Sequence, residues 1–171
     1  DHYVICNDEL GGYQATHFLL EQGHRRILML HGPEYISSAR ERLAGYRRAY
    51  KKFGLSPDEK LIREVRVAGQ GCAEVLRSLD EEKIRYTAVF AFSDIVGWQV
   101  WAYMRQIGRR VPEECSIIGF DHIQSRLGLP FQLTSVSSYK GRMSTQAVEM
   151  LVERIRGESS GPVIIDTKLA Q

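Results

Sequence analysis

Polar side chains stand directly after the apolar segments that the sequence marks as buried strands. Ser93 and Asp94 follow residues 88–92, and Asp121 follows residues 116–120. Arg42 lies one turn into a helix fed by the loop after another such segment. Ligands bind outside the carboxyl ends of parallel strands, so these residues are expected to share one edge. An arginine facing a carboxylate recognises vicinal hydroxyls, because one donates and the other accepts. The pattern therefore predicts a polyol site.

Each of these residues also has a simpler interpretation on its own. Asp94 alone is typical of a helix N-cap, Arg42 of a solvated helix charge and Asp121 of a turn cap. Asp8 and Glu9, at the start of a predicted helix, favour a structural role through the helix dipole. Convergence at one sheet edge is what favours the binding hypothesis.

The sequence lacks the common catalytic and metal-binding signatures. It has no Gly-x-Ser-x-Gly elbow, no His-Glu-x-x-His helix and no glycine-rich phosphate loop. Its histidines and its three cysteines, Cys6, Cys72 and Cys115, show no paired metal spacing. We therefore expect no metal, no cofactor and no enzyme activity.

Helical and strand patterns alternate along the chain. Strands are predicted at 3–6, 27–30, 62–67, 88–92, 116–120, 133–137 and 163–166, and helices at 9–22, 39–53, 72–79, 94–107 and 139–156. Ser37 or Ser38 is the predicted N-cap of the second helix, and residues 123–132 are predicted to form a loop. The alternation predicts an α/β fold in which a parallel sheet is flanked by helices on both faces, a Rossmann-like lobe.

Composition narrows the class of protein further. The 171 residues, 43% of them hydrophobic, suit one globular domain, and 23 Lys+Arg against 21 Asp+Glu give a net charge of only +2. We therefore expect no nucleic-acid contact through this segment. No apolar run approaches the roughly 20 residues of a membrane span, so no membrane partner is expected. An odd number of scattered cysteines favours the reducing cytoplasm.

Seven motifs follow one another over nearly the whole chain. They are GGYQAT at 11–16, GHRRI at 23–27, HGP at 31–33, RLAGY at 42–46, Ser93-Asp94, VPEECSIIGFD at 111–121 and LTSV at 133–136. In this order and spacing they resemble the LacI/GalR bacterial transcription repressors, whose ligand-binding region is similar to periplasmic sugar-binding proteins.

The resemblance implies a site for a small-molecule effector: a sugar, a phosphosugar or a nucleoside. It implies that Arg42 and Asp121 contact the ligand. Ser93 replaces an asparagine that is common in the family, Arg66 falls near a position where an aromatic residue often stacks on the ligand, and Ser138 replaces a glutamine. The full predicted ligand-binding set is Arg42, Arg66, Ser93, Asp94, Asp121 and Ser138.

The resemblance also implies a domain organisation. Residues 1–5 would end a first ligand-binding subdomain, 6–136 would form the second, 137–160 would cross back to the first, and 161–171 would return. DNA would be contacted only through an N-terminal helix-turn-helix headpiece outside these residues. We expect one apolar face of the crossing helix to pack against a neighbouring chain or to be poorly ordered; it comprises Met143, Met150, Leu151 and Ile155.

The family resemblance further implies a homodimer. Its interface would include Trp98, Trp101, Leu127 and Leu129, although core packing is the simpler explanation of the tryptophans. The leading hypothesis is a cytoplasmic effector sensor that controls DNA affinity. The alternatives are a periplasmic sugar-binding protein of a transporter and, less favoured, an α/β enzyme that uses Asp121 and His122 as acid and base.

Overall fold

The computed structural model describes residues 2–66, 69–123, 132–158 and 160–170. In chain order the elements are β1 (Val4–Cys6), α1 (Asp8–Glu21), β2 (Ile27–His31), α2 (Ser37–Lys52), a 3-10 helix (Glu59–Leu61), β3 (Ile62–Glu64), α3 (Cys72–Glu81), β4 (Ala88–Ala91), α4 (Asp94–Gln106), β5 (Ser116–Phe120), β6 (Thr134–Ser137), α5 (Lys140–Ile155), β7 (Val163–Ile165) and β8 (Lys168–Ala170).

Six of the strands form one sheet, in the order β3-β2-β4-β5-β6-β8. All neighbouring pairs in it are parallel except β6 with β8, which is antiparallel. The two remaining strands, β1 and β7, form a separate parallel pair. Parallel neighbours require crossover connections, and α2, α3 and α4 lie in those from β2 to β3, from β3 to β4 and from β4 to β5.

The central strands are apolar on both faces because each face packs against helices. In β2, Leu28 and Leu30 belong to the core cluster shared with α3 and α4, whereas Ile27 and Met29 belong to the cluster shared with α1 and α2. Strand residues alternate between the faces with a period of two. The α/β class, with helices on both faces of a mostly parallel sheet, is confirmed.

Helices α1 and α2 pack closely through two glycines. A Cβ on Gly12 would lie 2.2 Å from the carbonyl oxygen of Arg42, and one on Gly45 would lie 2.1 Å from that of Glu9. No side chain fits at either position, so the two backbones can approach only because both residues are glycine. This contact holds the first turn of α1 beside Arg42.

Several sequence predictions were wrong in detail. Ser37 is already the first residue of α2, and the cap position is Ile36, which makes no side-chain cap hydrogen bond. Two strands, β7 and β8, follow α5, but the sequence predicts only the first. The three residues of β8 are too few, and only partly buried, to show a clear alternation of apolar and polar side chains. Met150 was expected to face a neighbouring chain or be poorly ordered, yet it is buried within this one.

The other predicted residues of the α5 face differ in their surroundings, and Met143 packs against the core cluster of α1 and α2. Leu151 and Ile155 are exposed, and so is Val148 on the same helix. Helix α5 packs on β1 and β7, and this contact accounts for the burial of Met150. The opposite side of the helix is left uncovered. Within the described residues, no helix has the length and apolar character needed to cross a membrane.

Candidate functional site

The predicted site residues follow the carboxyl ends of the parallel strands. Arg66 comes after β3, Ser93 after β4, Asp121 after β5 and Ser138 after β6. Since these strands run in the same direction, all four positions belong to one edge of the sheet. Arg42 reaches this edge from α2, because its side chain touches residues at the ends of β4 and β5. The structure therefore supports the predicted convergence at the level of the backbone.

Arg42 is the most firmly held side chain at this edge. It is buried, its Nε donates to Asp8 Oδ1 at 2.7 Å, and another of its guanidinium nitrogens donates to the Phe92 carbonyl oxygen. Its guanidinium carbon lies 3.6 Å from the centre of the Phe120 ring. An arginine fixed by a carboxylate, a carbonyl and an aromatic face keeps one orientation. The remaining nitrogen, Nη2, is directed toward Asp121, 3.8 Å from its Oδ1.

Asp121 is partly exposed and has an unusual backbone. Its φ is +94°, in the region that L-residues rarely adopt, and its N–H donates to the Val136 carbonyl at 2.8 Å. A second cation reaches it: Lys140 Nζ lies 3.4 Å from Asp121 Oδ1 and donates to the Asp121 carbonyl at 3.1 Å. Strained residues collect at functional sites, where the surrounding structure holds them. Asp121 therefore offers a carboxylate to solvent while two cations flank it.

The carboxylate of Asp94 turns into the protein, whereas the sequence predicts that it faces a ligand. It is fully buried; one oxygen accepts from Ser135 Oγ at 2.5 Å and the other from the Ile123 N–H at 2.8 Å. A Cβ on Gly119 would be 2.3 Å from Asp94 Oδ1, so β5 makes room for the carboxylate. Burial raises the pKa of Asp94, and its two hydrogen bonds oppose that rise. Asp94 thus anchors the backbone just after Asp121, and its carboxylate has no exposed surface for a ligand.

Ser93 caps the helix that Asp94 opens. Its hydroxyl accepts from the Val96 N–H at 3.4 Å, as an N-cap residue does. Ser93 remains half-buried at the sheet edge. Its hydroxyl therefore has a structural partner while part of the residue still faces solvent.

Arg66 and Ser138 flank Arg42 and Asp121 without joining them. Arg66 is exposed, and its described contacts are backbone turn bonds to Gln70 and Gly69. Ser138 is buried, and its hydroxyl has no hydrogen-bond partner among the described residues. Of the six predicted ligand residues, only Arg42 and Asp121 come within 4 Å of each other in a described polar contact.

The chain is similar to proteins of known class. The model of the periplasmic binding protein-like domain matches residues 16–169. The chain belongs to this family. It is 35% identical over 169 residues to the HTH-type transcriptional regulator CelR of Thermobifida fusca, an alignment that covers 98% of the chain and 50% of that protein. The chain thus spans about half the length of this relative.

Solved structures agree with this assignment. A CelR–cellobiose complex matches with a TM-score of 0.89 at 34% identity, over 99% of this chain and 53% of that one. A LacI-family regulator of Sanguibacter keddieii matches with a TM-score of 0.87 at 28% identity, over 99% and 65% of the two chains. The LacI/GalR resemblance is confirmed, and the relatives are transcriptional regulators rather than enzymes.

In this periplasmic binding protein-like lobe, two of the predicted interface residues, Trp98 and Trp101, lie on α4. The other two come later in the sequence. Trp98 and Trp101 are half-buried and pack against the core cluster of α3 and α4, so core packing accounts for part of each ring. Ile95, one turn before Trp98, is exposed. Leu127 and Leu129 lie outside the described residues. The homodimer therefore stays a prediction.

Three residues that the sequence did not reveal build the Arg42 environment. They are Asp8, which pairs with Arg42, Phe120, which lies under its guanidinium, and Lys140, which pairs with Asp121. The sequence favours a helix-dipole role for Asp8, whereas the structure pairs it with Arg42. The glycines at 12 and 45 were the available signal, because closely packed helices would bring the start of α1 beside Arg42.

Cys6, close to Asp8 and Arg42, has a thiol that resists ionisation. Burial, with the adjacent Asp8 carboxylate, raises the pKa of the Cys6 thiol to about 12. Burial also raises the pKa of Asp8, against the lowering effect of Arg42. Among the described residues, no group of three His, Cys, Asp or Glu side chains is placed to hold a metal ion. Nor does any described hydrogen bond join Asp121 to the His122 ring, whose buried Nδ1 has no partner in the part of the chain that the structure describes.

Proposed function

We propose that this chain is the effector-sensing lobe of a LacI-type transcriptional regulator and binds a sugar-like small molecule. The observation that carries the proposal is the Arg42–Asp121 arrangement. A buried arginine, fixed by Asp8, faces a partly exposed carboxylate at the edge where parallel sheets bind ligands. Adjacent hydroxyls of a polyol can accept from Nη2 and donate to Asp121.

The wider regulatory role rests on the relatives. The effector would shift the protein between two arrangements of its subdomains, because it contacts one arrangement better than the other. DNA would be contacted through a helix-turn-helix headpiece outside these residues, in the cytoplasm, by a homodimer. A transporter protein is the less favoured alternative, since the relatives are named as transcriptional regulators.

The domain organisation is part of the same proposal. Residues 1–5 would end one subdomain, 6–136 would form the second, 137–160 would cross back and 161–171 would return. The two-stranded β1–β7 sheet and the exposed outer side of α5 support this division, because both leave apolar groups uncovered: Ile5, Val148, Leu151, Ile155 and Ile164. Exposed apolar side chains on neighbouring elements are usually covered by another part of a protein.

The effector class is tested by calorimetric titration of the whole regulator, with both proposed subdomains present. The panel is cellobiose, glucose, ribose, glucose 6-phosphate and adenosine, with cellobiose included because CelR is seen with it. One class is expected to bind and to raise the melting temperature, since ligand at 100 times its dissociation constant stabilises by about 2.7 kcal/mol.

Two matched variants decide whether the response comes from this site. Asp121→Asn removes the accepting carboxylate and is expected to abolish most of the heat of binding. Asp58→Asn removes an ion-paired aspartate beside Arg26, which precedes β2 at the opposite edge, and should bind like the parent. Absence of binding by every compound, or equal binding by both variants, would overturn the proposal.

A further inference from the structure

The two residues after Asp121 are fastened by side chains rather than by a neighbouring backbone. The His122 N–H donates to Ser135 Oγ at 3.1 Å. The Ile123 N–H donates to Asp94 Oδ2 at 2.8 Å. The two side chains are also joined to each other, because Ser135 Oγ donates to Asp94 Oδ1 at 2.5 Å. One hydroxyl and one carboxylate therefore fix two consecutive backbone amides.

The backbone held in this way has an uncommon conformation. Asp121 has φ +94° and His122 has φ +48°, so two successive non-glycine residues lie in the positive-φ region. Such residues cost free energy and persist only where the surrounding structure over-determines them. Relaxation of Asp121 to a negative φ would swing its side chain about the backbone and move the carboxylate away from Arg42, whose Nη2 lies 3.8 Å from Oδ1. The conformation therefore determines where the carboxylate of the site lies.

Asp94 is an unfavourable residue to bury for the sake of packing alone. Both Asp94 and Ser135 are inaccessible to solvent, and none of the described ion pairs includes Asp94. Strand β5 also lacks a side chain at Gly119, where a Cβ would lie 2.3 Å from Asp94 Oδ1. An apolar residue would join α4 to β5 without the desolvation of a buried carboxylate. The carboxylate supplies instead two acceptors at a fixed separation, one for the hydroxyl and one for the amide.

We propose that Asp94 and Ser135 are positioning residues of the effector site. Together they hold residues 121–123 in the positive-φ conformation and so keep the Asp121 carboxylate opposite Arg42, although neither of them touches the effector. The effect on effector affinity rests on the proposed function, whereas the conformation of residues 121–123 does not.

The test compares three variants of the whole regulator with the parent. Ser135→Ala removes the hydroxyl that accepts from the His122 N–H, and Ser135→Thr keeps a hydroxyl at the same position. Ser116→Ala is the matched control, since it makes the same change at the start of β5, the strand whose other end leads to Asp121. The hydroxyl lost there is bonded to His24 Nε2 at 3.1 Å. A difference between the two alanine variants therefore reports the place of the hydroxyl.

Hydrogen exchange resolved to single amides measures the conformation without any effector. In the parent the His122 and Ile123 amides are expected to exchange slowly, because both bind buried acceptors. Ser135→Ala should speed the exchange of both by at least about tenfold, whereas Ser135→Thr and Ser116→Ala should stay within about threefold of the parent. If Ser135→Ala does not fold, Ser135→Cys replaces it, because a thiol fills the space but accepts hydrogen bonds weakly. Unprotected amides in the parent, or parent-like exchange in the variant without the hydroxyl, would overturn the proposal.

Calorimetry with cellobiose measures the consequence for the effector, and the other compounds of the panel replace cellobiose if the parent does not bind it. Ser135→Ala is expected to raise the dissociation constant by at least about tenfold, and Ser135→Thr and Ser116→Ala by less than about threefold. A serine that served stability alone would lower the unfolding midpoint and leave the dissociation constant unchanged. That result, or equal weakening by the two alanine variants, would exclude a positioning role. If the parent binds no compound, only the proposed function is removed, and hydrogen exchange still decides what holds residues 121–123.

Discussion

Arg42 and Asp8 form an ion pair of 2.7 Å that joins α2 to the first turn of α1, and both side chains are nearly inaccessible to solvent. The pair does more than fasten two helices together. Because Asp8 holds Nε, the opposite side of the guanidinium is left to face Asp121. Asp8 therefore positions Arg42 for the ligand, although Asp8 itself lies on the side of Arg42 away from Asp121.

Replacing Arg42 is predicted to destabilise the lobe strongly. Arg42→Met leaves the Asp8 carboxylate buried without its cation, a change that typically costs about 3–5 kcal/mol. Arg48→Met is the matched control, since Arg48 joins the same two helices through an exposed pair with Glu9. Its cost should be below about 1 kcal/mol. Urea unfolding of both variants measures the difference, and similar midpoints would contradict the structural role of Arg42.

A methyl group at Gly45 is predicted to force α1 and α2 apart. In Gly45→Ala the new Cβ would lie 2.1 Å from the Glu9 carbonyl, a backbone atom that cannot turn away. Overpacking of this kind costs roughly 1–3 kcal/mol or more. Gly161→Ala is the control, because a Cβ there meets nothing within 4 Å. A thermal melt should separate the variants by several degrees; if they melt together, the helices do not pack as described.

The sequence predicted the frame of the fold because apolar periodicity reports burial directly. Strands β2, β4 and β5 lie where short apolar segments were predicted to be buried, and α1, α2 and α4 end just before Gly23, Gly54 and Gly108, all of which have positive φ. Strand β8 was missed because an edge strand buries only part of one side. Its pairing with β6 is a long-range contact that local pattern does not contain.

The site was predictable only in part, for a related reason. Arg42 and Asp121 were identified from position and motif, and the structure brings them close. Asp94 was grouped with them because it follows a strand, yet its carboxylate turns inward to Ser135. Lys140 was missed because its pairing with Asp121 spans 19 residues of chain. The direction of a side chain at the end of a strand depends on its neighbours in the folded protein. A single sequence does not reveal those neighbours.

All three cysteines are predicted to be unreactive in the folded protein. Burial raises the pKa of Cys6 and Cys72 to about 12 and that of Cys115 to about 11. At pH 8 a thiol of pKa 12 is ionised in roughly one molecule in ten thousand, and the thiolate is the reactive form. Iodoacetamide should therefore label none of them in minutes, and all three once urea unfolds the chain. Rapid labelling of native Cys6 would show that the Arg42 region is open.

Charge on the exposed side of α4 is predicted to prevent self-association. Ile95→Arg is preferred to Trp98→Arg for this test, because Ile95 is exposed whereas Trp98 also packs on the core. A buried, unpaired charge weakens an interface strongly, so the dimer dissociation constant should rise at least about tenfold.

Ile107→Arg, at the other end of the same helix, adds the same charge and serves as its control. Sedimentation velocity over a concentration series gives the dissociation constants, and urea midpoints check that each variant still folds. The interface hypothesis requires Ile95→Arg alone to shift the equilibrium. Equal shifts would indicate general charge repulsion, and an unchanged mass for both would place the dimer contact away from Ile95 and Trp98.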